Sequence, residues 1–118
     1  MRPPEFSITT AQVGPESYVV ALTGEVDMYE APALERDLAK IALRGGRRVI
    51  VDFTRTDFID STVLGLLVRE LKRVRPDGGD VLVVSSDPRI LRAFEHTGLE
   101  GMFTFEPNLA HAVTAVGP

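Results

Sequence analysis

Val49-Ile50-Val51-Asp52-Phe53 is followed, seven residues later, by Asp60-Ser61-Thr62-Val63-Leu64-Gly65-Leu66-Leu67. The first run is short, β-branched and apolar through its centre, the pattern of a strand buried on both faces. The second opens on hydroxyl and carboxyl groups and continues with apolar residues at helical spacing. Thr54 to Ile59, between them, reads as a polar loop whose Phe58-Ile59 pair turns back to the core. Ser61 therefore stands where strand, loop and helix start meet. The free backbone N–H groups of a helix end favour negative charge. A hydroxyl there can cap the helix, hold an anion or carry a covalent phosphate. Serine is among the preferred N-cap residues, and a cap is worth roughly 1 kcal/mol. Asp60 and Thr62, however, supply more oxygen atoms than one cap requires.

Downstream, Leu64, Leu67, Val68, Leu71 and Val74 fall on one side of the expected helix. Arg69, Glu70, Lys72 and Arg73 fall mostly on the other. Pro76-Asp77-Gly78-Gly79 is a turn signal, and Val81 to Val84 a second central strand. Asp87-Pro88 opens a short helix through Ile90, Leu91 and Phe94 that Gly98 closes. Phe103 to Phe105 reads as a last short strand and Asn108 to Val116 as a final helix. Upstream, Phe6 to Thr10 and Tyr18 to Leu22 suggest an antiparallel hairpin with a longer loop, its second strand stopping at Thr23-Gly24. Apolar residues at 31, 34, 38, 41 and 42 predict a helix over Ala31 to Leu43, with Pro32 in its first turn and Gly45-Gly46 after it. Arg47 to Phe53 is the strand that follows. This order predicts a single α/β domain over residues 1–118, its core about 6–116. Right-handed crossovers make the sheet mixed but mostly parallel, with four to five strands, an antiparallel N-terminal edge and about four helices.

Composition narrows the function classes. The chain has 118 residues, a net charge of −4 and interspersed acidic and basic side chains, without the basic stripe of a nucleic-acid surface. It contains no cysteine, so thiolate chemistry is absent and a reducing compartment suits it. No secretory leader or membrane-length apolar run is evident, and the expected location is the cytoplasm. His96 and His111 lack carboxylates at metal-ligand spacing, so no metal is expected. The chain has no Gly-rich phosphate loop and hence no expected cofactor. Ser61 lacks the Gly-x-Ser-x-Gly elbow, so a hydrolase using Ser61 with His96 as base is disfavoured and no catalytic residue is assigned. Asp27, in Thr23-Gly24-Glu25-Val26-Asp27, lies just past a strand end, at the sheet edge where α/β sites gather. It, or Glu30, could equally cap the helix beginning near Ala31. Asp52 is expected near a strand end, accepting from loop N–H groups.

Four segments in series resemble the STAS domain, and more narrowly the free-standing bacterial anti-sigma factor antagonists. They are Leu22 to Asp27, Val49 to Phe53, Phe58 to Leu66 and Gly98-Leu99, and the match that they anchor covers almost the whole chain in order and length. The resemblance implies a non-enzymatic regulator whose serine after the aspartate is phosphorylated by a kinase-type anti-sigma factor. Carried over, it marks Ser61 as the phosphoacceptor, with Asp60 and Asp27 beside it and Thr62 and Val63 within the partner-binding segment. The unmodified form would bind that anti-sigma factor and release a sigma factor. Phosphorylation would end the binding, and a serine phosphatase would reset it. The chain departs from the family pattern where Thr62 and Val63 replace a small residue and glycine. A β-branched Val63 is expected to narrow the approach to Ser61, and Thr62 becomes a competing acceptor. The alternative under the same resemblance is an accessory or sensing subunit of a transporter or stress-signalling complex, with no phosphorylation.

Overall fold

The computed structural model describes residues 4–118. Its first two strands, β1 (Ser7–Gly14) and β2 (Ser17–Val26), form the antiparallel edge. Their connection is tighter than the sequence suggests. Gly14 pairs with Ser17 across a two-residue turn, and a register shift after Gln12 absorbs the odd residue. The Gln12 side-chain amide donates to the carbonyls of Gly14 and Pro15, so a polar strand end reinforces its own turn.

After β2 the chain forms α1 (Ala31–Leu43), β3 (Arg48–Ile59), α2 (Ser61–Val74), β4 (Asp80–Val84), α3 (Pro88–His96), β5 (Thr104–Glu106) and α4 (Leu109–Val116). The sheet order is β1-β2-β3-β4-β5, and every pairing after the first is parallel. The α/β class, the mixed sheet and the antiparallel edge all stand as the sequence pattern predicts.

Alternation along the strands divides the core between the two sheet faces. Val20, Leu22, Val49, Val51, Phe53, Val81 and Val83 point toward α1, α2 and α3, forming the larger core. Val19, Ile50, Leu82 and Val84 point the other way, where α4 covers them with Ala112 and Val116. The central strands are therefore apolar at consecutive positions because both faces are covered.

Two strand ends lie beyond their expected limits. Segment 54–59 is not a loop: β3 continues through it and pairs with β2 as far as Val26↔Ile59. β2 likewise passes Thr23-Gly24 to reach Val26. Two register shifts accommodate the extension, after Ala21 and after Gly24. Gly24 adopts φ +88°, and a Cβ there would lie 2.8 Å from the Pro4 carbonyl oxygen. Polar residues mislead here because Thr56 is buried, its hydroxyl donating to the Leu22 carbonyl at 2.8 Å. Threonine is β-branched and suits a strand once its hydroxyl has a partner. Pairing between β3 and β4 ends at Asp52↔Val84, so β2 and β3 project past the rest of the sheet. That projection carries the residues of the candidate site.

Glu70 is also misplaced by simple periodicity. Its side chain is only 6% exposed and accepts both the Nε and Nη2 donors of Arg73, at 2.9 and 2.8 Å. Arg73 donates as well to the Gly46 carbonyl at 3.0 Å, tying α2 to the turn after α1. The hydrogen bond to Glu70 raises the Arg73 guanidinium above its ordinary pKa.

α2 leads into a 3₁₀ turn at Arg75–Asp77, and Gly79 then passes directly over Arg47. A Cβ on Gly79 would stand 2.0 Å from the Arg47 carbonyl oxygen. Gly79→Ala is expected to cost about 1–3 kcal/mol through the backbone shift it forces. A urea melt checks this, and an unchanged midpoint would contradict the close approach.

Candidate functional site

The parallel pairing of Val26 with Ile59 sets two strand ends side by side, so that Asp27 and Asp60 leave the sheet at the same edge. Asp60 is the N-cap of α2, in extended conformation at φ −112° and ψ −178°. Its Oδ1 accepts from the backbone N–H groups of Thr62, at 3.0 Å, and Val63, at 3.2 Å. Capping thus falls to the aspartate. Ser61 is the first helical residue, exposed, and its hydroxyl makes no side-chain hydrogen bond among the described residues.

That division of labour decides the chemistry available. A capping serine would have to give up a helix hydrogen bond to react, whereas Ser61 gives up none. The charge of Asp60 already complements the helix end. Asp60→Ala is expected to destabilise the domain by roughly 1 kcal/mol, measured by chemical denaturation. No change would mean that another group caps α2.

Thr62 is exposed beside Ser61. Val63 is fully buried among the residues of the larger core. It neither narrows the approach to Ser61 nor offers a partner any surface, contrary to the expectation from its β-branched side chain. One turn further on, the exposed Gly65 leaves open space where a side chain would stand. Nothing from the next helical turn covers the serine.

Asp27 is committed to its own loop. Its Oδ1 accepts the Tyr29 N–H at 2.9 Å, and its carbonyl accepts from Glu30 and Ala31 at 3.1 and 2.9 Å. Glu30 occupies the N-cap position of α1 without a side-chain hydrogen bond. Neither acid, then, is a side-chain cap for α1. The turn that Asp27 holds presents Met28 and Tyr29 to solvent, 56% and 83% exposed. Phe58, paired with Glu25 on the same projection, is exposed as well.

Met28, Ala31 and Pro32 on one side, and Ser61, Thr62, Gly65 and Leu66 on the other, line a groove of about 360 Å³ between α1 and α2. Arg69 and Glu35 bridge it with an ion pair at 2.6 Å. Both partners are well exposed, so the pair adds little stability. Ser61 thus stands on the wall of a mostly apolar depression flanked by exposed methionine and tyrosine. Met28, Tyr29 and Glu35 are not among the residues that the sequence pattern singles out, and Arg69 enters there only as part of the polar helix side. A Met-Tyr pair directly after a strand-end aspartate was the signal available for the first two.

His96 closes α3, and no hydrogen bond joins it to Ser61 among the described residues. His111 belongs to the α4 cap, its Nδ1 2.8 Å from Asn108 Oδ1. No described helix is long and apolar enough to cross a membrane.

A sheet of this order, with a serine held at the start of the helix after its third strand, defines a class, and comparison with known proteins identifies it. The family model described as the STAS domain matches residues 9–112, and the chain belongs to that family. Among its relatives is the anti-sigma-B factor antagonist of Staphylococcus aureus, 35% identical over 85 residues that span 72% of this chain and 79% of that protein. The crystal structure of an anti-sigma factor antagonist from Mycobacterium paratuberculosis matches with a TM-score of 0.85 at 27% identity, covering 97% of this chain and 96% of that one. The Bacillus cell fate determinant SpoIIAA in its phosphorylated form shares the fold, with a TM-score of 0.75 at 21% identity over 93% and 99% of the two chains.

Proposed function

We propose that this protein is an anti-sigma factor antagonist switched by phosphorylation of Ser61. The observation that carries the reading is the free, exposed Ser61 hydroxyl beside a cap that Asp60 already provides. The kinship with anti-sigma factor antagonists supports the choice of partner.

In the unmodified state, the projection at the end of β2 and β3 docks on a kinase-type anti-sigma factor, which then releases its sigma factor. Met28, Tyr29 and Phe58 supply apolar contact area, and Asp27 holds the turn that carries the first two. The docked kinase holds ATP and its metal ion. Ser61 Oγ attacks the γ-phosphorus, the bond from that phosphorus to the ADP oxygen breaks, and the hydroxyl proton passes to a base on the kinase. A serine phosphatase returns the hydroxyl by hydrolysis.

The modification adds about −1.5 to −2 charge and three acceptor oxygens. At the N-terminus of α2 such a charge is stabilising by roughly 0.3–1 kcal/mol, against which the neighbouring Asp60 works. The domain therefore keeps its fold. At the docked surface the same group is bulky, hydrated and next to two carboxylates, so the interface takes the whole effect.

Mass spectrometry after incubation with the partner kinase and ATP tests the assignment. One phosphate on Ser61, absent from Ser61→Ala, is expected. Phosphate on Thr62 alone would overturn the choice of acceptor.

A further inference from the structure

On the sheet face opposite α1 and α2, α4 covers Val19, Ile50 and Leu82 but leaves the first three strands bare toward the projecting end. A cavity of about 490 Å³ occupies that bare ground, within the size range of roughly 300–1,000 Å³ usual for small-molecule sites. Strand register explains its walls. Thr9, Ala21 and Asp52 form one row across β1, β2 and β3, and Ser7 stands opposite Thr23 in a neighbouring row. The small Ala21 makes the depression, and hydroxyl side chains surround it.

Asp52 lies at the wall of this cavity and keeps only 8% of its surface. Its Oδ1 accepts the N–H of Thr54 at 2.9 Å and the Thr54 hydroxyl at 2.5 Å. Its Oδ2 has no hydrogen-bond partner among the described residues and is not sealed from solvent, which leaves it free to accept. Arg55 also lines the cavity, and it forms no ion pair among the described residues. Neither group belongs to the Ser61 groove, and the proposed switch uses neither.

We propose that this cavity binds a small neutral polyhydroxylated molecule, a sugar or sugar alcohol, with Asp52 Oδ2 accepting from its hydroxyls. The chemistry of the lining selects the class. A carboxylate oxygen only accepts, a guanidinium only donates, and the hydroxyls of Ser7, Thr9 and Thr23 do either. A ligand matching all three must donate and accept at several neighbouring points, which is the property of vicinal hydroxyl groups. One negative and one positive side chain leave the lining without net charge, so nothing draws in an anion or a cation. The apolar surfaces of Ala21 and Leu109 meet the carbon face of such a molecule.

Titration of the ¹⁵N-labelled protein with D-glucose, D-ribose, myo-inositol and, separately, glycine tests this by amide shifts. Saturable millimolar binding of at least one polyol is expected, its shifts centred on Thr9, Thr23, Thr54 and Arg55. Asp52→Asn, whose Oδ1 can still accept from Thr54 N–H, should bind at least tenfold more weakly. Thr9→Val, on an exposed strand position, should weaken binding while leaving the spectrum otherwise folded. Absence of saturable shifts with every polyol, preferential binding of glycine, or shifts confined to the Ser61 groove would overturn the proposal. So would undiminished binding by both variants.

Discussion

Ser61→Asp is expected to hold the partner anti-sigma factor about a hundredfold more weakly than Ser61→Ala, a difference of about 3 kcal/mol. The two variants separate charge from the loss of the hydroxyl. Alanine at the first helical position removes a group that makes no hydrogen bond among the described residues, so Ser61→Ala should bind as the unmodified protein does while resisting phosphorylation. Aspartate suits a helix N-terminus and leaves the fold intact. It nonetheless adds a charge beside Asp60 and within reach of any surface that docks on Met28 and Tyr29. Calorimetric titration of both variants gives the ratio directly. Equal affinities would mean that the docking surface lies elsewhere on the domain.

Phe94→Ala is expected to destabilise the protein by about 3–5 kcal/mol, the usual range for a buried phenylalanine truncated in a packed core. Phe94 is fully buried on α3 and meets Phe103 and Phe105 edge to face, at ring-centroid separations of 5.5 and 5.1 Å. Those two contacts join α3 to the last strand and the loop before it. Domain stabilities run to about 5–15 kcal/mol, so the variant forfeits a large share of the total. Thermal and urea denaturation measure the loss. A change below about 1 kcal/mol would show that the neighbouring rings close over the gap.

These two residues also mark how far the sequence could be read. Phe94 and the other core positions were legible because helical spacing and unbroken apolar strands follow directly from burial on one face or both. The hairpin edge, the helix over Ala31–Leu43 and the serine at a helix start were legible for the same reason. Segment 54–59 was not, since its polarity matches a loop. Only the pairing with β2, and the buried hydroxyl bond from Thr56 to Leu22, makes it a strand. Glu70 was misplaced because its burial depends on Arg73 and on the turn at Gly46, contacts that no helical periodicity contains.

At the candidate site, the sequence singles out Ser61, Asp60 and Asp27 but does not divide the work among them. Serine and aspartate are nearly equal as caps, so their order at a helix start is ambiguous until backbone angles are known. With Asp60 extended and its carboxylate on two N–H groups, Ser61 becomes the spare residue. Val63 shows the reverse error. Adjacent in sequence to the serine, it is turned into the core by the helix and takes no part at the surface. The apolar wall of the groove comes from α1, a segment with no motif of its own.

The reading of Ser61 as a switch turns on one comparison. Unmodified protein and protein phosphorylated at Ser61 are titrated against the same anti-sigma factor, and the thermal midpoint of each is recorded. The expected result is a Kd weakened at least a hundredfold with the midpoint nearly unchanged. Equal Kd values for the two forms, or a phosphorylated form that has lost its fold, would contradict it.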